Sequence, residues 1–272
     1  MNPRSRCPIA ASRVVSAVIA AACVAHSPAC TRDGAQSEPT QLEVIRRDQL
    51  AVLSIDNGRT RVLYTSSLVE PGAVGYQALG PLLVFAYDEV QPGSGFDLHS
   101  HDNVEVLTIV LEGSFDQEDT AGQSGRVNTG EMSLMSAGSG VKHAEFGAPD
   151  AVTRSVTIWV KPRTMNKAPH RAVGKPVEMK NGWQLIAAEH AAPLIIEQDV
   201  RVLMRRLSPG ERVTLIAQSG RMIYLAPVEG ELLAGDQRLI VPERAILRDS
   251  KIGITSDAGA MVVLVDAPLT QS

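Results

Sequence analysis

At 272 residues the chain has room for one large domain or two compact ones, each with its own core. A composition of 44% hydrophobic and 21% charged residues excludes a mostly disordered chain. A formal net charge of −4, with no long Lys/Arg cluster, excludes the electrostatic footprint of a nucleic-acid binder, so no nucleic-acid partner is expected.

The first predicted element is a leader and linker over residues 1–41. Arg4, Arg6 and Arg13 precede an apolar run from Val14 to Ala25, broken by Ser16, and Ser27-Pro28-Ala29-Cys30 follows. Basic, apolar and small-residue regions in that order read as a secretory signal, too short to span a bilayer comfortably. The expectation is export to the periplasm or cell envelope rather than a cytoplasmic location. Ala29-Cys30 ahead of polar Thr31 to Gln41 resembles a bacterial lipoprotein processing site, with Ser27 where an aliphatic residue is usual. Cys23, after Ala20-Ala21-Ala22, is a second candidate for a lipid anchor, and plain signal cleavage or a disordered tail is the alternative. Cys7, Cys23 and Cys30 are the only cysteines, so the exported body has neither thiol nor disulfide and depends on packing.

From Leu42 onward, short apolar or alternating runs are punctuated by Gly, Pro and Asp: Leu82–Tyr87, Val104–Leu111, Met132–Met135, Val156–Val160, Val202–Leu207, Met222–Leu225 and Ala260–Val265. Close spacing without a long 3.6-residue period predicts an all-β sandwich or barrel, with little helix. Pro92-Gly93 is followed twenty residues on by Glu112-Gly113, as Pro209-Gly210 is by Glu229-Gly230, which predicts two similar units in tandem. The boundaries expected are 42–160 for the first, 161–175 for a Pro-, Lys- and Arg-rich connector, and 176–272 for the second.

Chemistry concentrates in the first unit. His99 and His101 are two apart, so on a strand both imidazoles enter one face; His143 and Glu145 repeat that spacing and could face them from another wall. Three nitrogens and one oxygen suit Fe(II), Ni, Cu, Mn, Co or Zn and leave positions for substrate and water. One His-X-His alone is a weak signal, but three of the five histidines beyond the leader fall in these two pairs, leaving His170 and His190 as solvated loop residues. Glu105 is read as sharing the inward parity and orienting a histidine, or else as a half-buried carboxylate paired with a cation. Aligning Gly210 with Gly93 places Ile216 and Gln218 where His99 and His101 stand, so the second unit lacks metal ligands and is expected to pack against the first and close its pocket.

Gly93-X5-His99-X-His101-X3-Glu105 followed by Gly113, and then Gly130 to His143, resemble the two motifs of the cupin superfamily. Gly95-Phe96-Asp97-Leu98-His99-Ser100-His101, Leu111-Glu112-Gly113-Ser114 and Met135 through Glu145 resemble, more narrowly, the pirin family of bicupins; the His-X-Glu ending is the most specific of these. The resemblance runs from about Thr60 to Pro268 and is strongest between Leu82 and Phe146. It implies two tandem cupin barrels of the double-stranded β-helix, or jelly-roll, type. It also implies one iron held by His99, His101, His143 and Glu145. Ser100 stands where the family usually has proline, and a secretory leader is atypical for it.

Pirin-like proteins are associated with quercetin 2,3-dioxygenase activity, the O2-dependent opening of a flavonol ring with release of carbon monoxide. The resemblance therefore implies a monomeric oxidoreductase taking a small aromatic, flavonol-like substrate and O2, with Glu145 as the base for the 3-hydroxyl proton. The alternative is a non-catalytic iron-binding bicupin acting as a redox-responsive interaction module. A sugar isomerase fits the fold but not the His-X-Glu ending.

Overall fold

Alternating β-branched and aliphatic residues with Gly-rich turns give a chain of short strands, and the computed structural model describes them over residues 42–66, 79–175, 178–179 and 181–270. Among these there is no α-helix, only two single 3-10 turns, and no helix long and apolar enough to cross a membrane. The leader expectations, including Cys23 and Cys30, lie outside the described residues.

The first twelve strands are β1 (Leu42–Ile45), β2 (Ala51–Ile55), β3 (Thr60–Ser66), β4 (Leu82–Val90), β5 (Gly95–His101), β6 (Glu105–Glu112), β7 (Ser114–Asp119), β8 (Ser124–Asn128), β9 (Met132–Ser136), β10 (Val141–Gly147), β11 (Thr153–Val160) and β12 (His170–Gly174). Nine follow: β13 (Gln184–Ala188), β14 (Leu194–Ile195), β15 (Arg201–Leu207), β16 (Arg212–Ile216), β17 (Arg221–Ala234), β18 (Gln237–Ile240), β19 (Arg244–Arg248), β20 (Lys251–Thr255) and β21 (Ala260–Pro268). In the N-terminal barrel a seven-stranded sheet, β12-β9-β6-β11-β4-β3-β2, accompanies a four-stranded one, β5-β10-β7-β8. The C-terminal barrel is built on β1-β19-β17-β21-β15-β13-β14, with β16, β18 and β20 joined through β17 and β20. Two cupin barrels in tandem are the architecture the repeat and the motifs predicted.

Strand parity divides the N-terminal core. On β4, Val84 and Ala86 pack inside the barrel with Val62 and Trp159, while Phe85 belongs to the large cluster shared with Tyr224, Ile246 and Val263 of the second barrel. Phe85 and Tyr224 stack with ring centroids 4.9 Å apart. Arg244, fully buried, lies 5.0 Å from the Phe85 ring centroid and donates to the carbonyls of Phe85 (2.8 Å) and Leu63 and to Thr65 Oγ1 (3.4 Å). A buried guanidinium is tolerable only when such acceptors replace water.

Two expected boundaries differ in the structure. Residues 42–45, assigned by sequence to the first unit, pair as β1 with β19, Leu42 opposite Leu247, and so form an edge of the C-terminal sheet. Residues 170–174, assigned to the connector, pair as β12 with β9, His170 opposite Ser136. An edge strand needs backbone hydrogen bonds more than a continuous apolar face, so charged and small residues such as Arg171 and Gly174 hide it from a periodicity reading.

Candidate metal centre

β5 and β10 run antiparallel, with His99 opposite His143 and His101 opposite Val141. The imidazoles meet as the spacing predicted: ring centroids are 4.8 Å apart for His99 and His101, 4.4 Å for His99 and His143, and 5.0 Å for His101 and His143. One ligand atom from each converges, all three within 4.8 Å of one another.

The register shifts between His143 and Glu145, which pairs with Phe96, so β5 carries one extra residue as a bulge. Through it both Phe96 and His99 reach the interior, their rings 6.3 Å apart. The bulge carbonyl of Asp97 lies 2.8 Å from His99 Nδ1. Because a carbonyl only accepts, Nδ1 of the neutral ring carries the proton and Nε2 keeps its lone pair. Trp159 of β11 stands edge-on to His101, ring centroids 4.9 Å apart.

Burial, with His99 close by, pushes His101 down to about 4. Burial, then His99, His101 and Arg171, push His143 down to about 3. Both rings are therefore neutral at pH 7, the form that ligates. His143 Nε2 is buried with no hydrogen-bond partner. An orphaned nitrogen costs desolvation that nothing in the polypeptide returns, and a metal ion among three converging imidazoles would satisfy it, so these residues fit the group.

Glu145 is buried on the same strand, as parity predicts, yet its carboxylate is not among the converging atoms. Gln117, opposite it on β7, donates from Nε2 to Glu145 Oε1, and Arg171 Nη1 donates to Gln117 Oε1 at 3.4 Å. Burial and then Asp88 push Glu145 up to about 7, against the opposing pull of Gln117 and Arg171. Asp88 is itself buried, accepting at Oδ2 from Ser155 Oγ (2.8 Å) and Thr157 Oγ1 (2.6 Å), and burial outweighs these bonds and Arg244 to bring it up to about 6.

Glu105 does not orient a histidine. It shares parity with Leu107 and Ile109, which face the second barrel; Ser136 Oγ donates to it at 3.0 Å and the Glu197 backbone N–H at 2.9 Å. Ile216 and Gln218 are also not the counterparts of the first two histidines: both are exposed, whereas Leu215 and Ala217 are buried in the apolar core of the C-terminal barrel. The β16–β20 pairing has no register shift, so the extra residue in β5 moves the true alignment by one. The second barrel still offers no ligands at these positions. His170 and His190 are solvent-exposed, as expected. Sequence reasoning missed Gln117, Trp159, Arg171 and Asp88. The only available hints were the acidic pair Asp88-Glu89 in the otherwise apolar Leu82–Val90 run and the polar alternation Ser155, Thr157 on β11.

Comparison with known proteins places this site in a family. The pirin family model matches residues 68–160, and the model for a quercetinase C-terminal cupin domain matches 185–266. A pirin-like protein of Caulobacter vibrioides is 34% identical over 198 residues, covering 69% of this chain and 84% of that one. A quercetin 2,3-dioxygenase of Escherichia coli O157:H7 is 29% identical over 204 residues, covering 73% of this chain and 86% of that one. The crystal structure of the bacterial pirin YhhW of Escherichia coli in complex with nickel(II) superposes with a TM-score of 0.74 at 22% identity, covering 84% of this chain and 99% of that one. With the three histidines inside the barrel that the first model covers, and most of the Caulobacter relative's length matched, this chain belongs to the pirin family.

Proposed function

We propose that His99, His101 and His143 hold one divalent first-row metal ion, iron or nickel foremost. Glu145 serves beside them as fourth ligand and proton acceptor, and the protein is an O2-dependent dioxygenase that opens a flavonol-type ring. The observation that carries this reading is the buried, unpartnered His143 Nε2 at the meeting point of three imidazoles. The relatives named as quercetin 2,3-dioxygenase and the nickel complex of a structural neighbour support it.

A bound ion supplies Lewis acidity and a common anchoring point for the substrate oxygens and O2. The chain's own groups do the rest. Glu145, whose carboxyl burial and Asp88 push up and so make more basic, is placed to take the 3-hydroxyl proton. Loss of that proton leaves the negative charge on the substrate and makes its ring electron-rich. Phe96 and Trp159, half-buried beside the histidines, offer aromatic faces to a planar substrate and keep that side of the site dry.

Purified protein loaded with iron or nickel is expected to consume a flavonol and release carbon monoxide under air. Glu145→Gln should keep part of the metal through its imidazoles while turnover per bound ion drops about 100-fold to 10,000-fold. No flavonol loss from either form would overturn the enzyme reading in favour of a metal-holding interaction module. We also propose export on the strength of the leader; fractionation should find the protein in the envelope, and a wholly cytosolic pool would refute this.

A further inference from the structure

Glu145 lies directly opposite Gln117 in the pairing of β10 with β7, and the Gln117 side chain is buried, so water does not compete for its amide. A glutamine can present either end of that amide, and what stands behind it decides which. Here Arg171 donates to Gln117 Oε1 from β12, an edge strand of the other sheet, close to Gly125 of β8; a Cβ on Gly125 would come within 3.4 Å of Arg171 Nη2. A guanidinium has no acceptor, so the carbonyl end of Gln117 must face it and the NH2 end must face Glu145. The amide can then only donate, and it does so to Oε1.

Resting on the reading of Glu145 as a ligand, we propose that Arg171 and Gln117 are positioning residues that tie down Glu145 Oε1, leaving Oε2 as the one oxygen offered to the histidine cluster. Glu145 is thereby a one-oxygen ligand, and the edge strand that the sequence disguised as a connector sets how many donors the centre presents.

Cobalt(II) is the probe, since its visible absorption reports coordination number and its affinity can be measured by chelator competition. Wild type, Gln117→Leu, Arg171→Leu and Arg171→Lys are loaded as full-length protein, with thermal melts recorded alongside. Gln117→Leu should still take one ion per chain. Its affinity is expected to fall about 10-fold to 100-fold, the range for losing a partner behind a ligand, and its cobalt spectrum to change. Arg171→Leu should change the spectrum in the same direction, with Arg171→Lys returning part of the way. Arg171 is only half-buried, so its variants report even if Gln117→Leu fails to fold. Wild-type spectra and affinities in folded Gln117→Leu or Arg171→Leu, with Glu145→Gln altered, would overturn the clamp and leave the ligand reading standing. An unaltered Glu145→Gln spectrum would remove Glu145 from the ligand set, and the clamp with it.

Discussion

At the scale of single residues, the metal argument turns on protons. With His101 down to about 4 and His143 down to about 3, hydrogen ions displace a metal from these rings only at unusually low pH. Loaded protein should therefore keep its ion on dialysis at pH 6, read by metal analysis; release by pH 6 would contradict the buried geometry. His101→Ala should lose most of the metal, whereas His190→Ala should lose none. Glu105 offers a separate test through stability. Burial pushes it up to about 7, outweighing its bonds to the Glu197 backbone and Ser136, so the folded state holds a proton that the unfolded chain releases near its ordinary value of 4.5. Its contribution to stability is present below about 4.5 and is lost as pH rises through 7. Thermal melts of Glu105→Gln against wild type should thus shift in the variant's favour between pH 5 and pH 8. The histidine pairs were legible because alternation holds within one strand. Glu105 was misread because alternation was counted from His101 across the turn at Asn103, whose φ of 48° resets which face the next residue takes.

At the scale of elements, β5 is the informative one. Its extra residue puts both Phe96 and His99 inside, and Gly95 lets the strand lie against β10: a Cβ there would meet the Glu145 carbonyl oxygen at 2.1 Å and Phe146 Cα at 2.7 Å. Gly95→Ala must push the two ligand-bearing strands apart. Overpacking of this kind typically costs about 1–3 kcal/mol, so we expect a lower melting temperature together with weaker metal binding, read from the same preparation by calorimetry and chelator competition. A bulge has no sequence signature beyond its flanking residues, which is why the C-terminal counterparts were displaced by one position while the absence of ligands there was still legible. Gln117 and Arg171 were illegible for a different reason. Their roles depend on register between strands, and register is fixed by turns and packing rather than by any one strand's pattern.

At the scale of the whole molecule, two barrels share one apolar cluster, and Arg244 sits within it among carbonyls and an aromatic face. Arg244→Met would strand the carbonyl oxygens of Leu63 and Phe85, so a loss of about 1–3 kcal/mol is expected from urea melts, with metal content unchanged. The tandem repeat made the pair of barrels legible, since each unit carries its own turn signals. Where the chain crosses from one barrel to the other was not legible, because edge strands satisfy few of the patterns that central strands must obey.

The pairing of β1 with β19 bears on how the molecule is made. Glu43 and Arg248 join across this seam, 205 positions apart, so β1 waits for a distant stretch of chain before it has a partner. Closing so long a loop is slow. Until β19 is available the β1 segment has no partner in this sheet, and the unpaired edge of β19 depends on protection from aggregation in the interval.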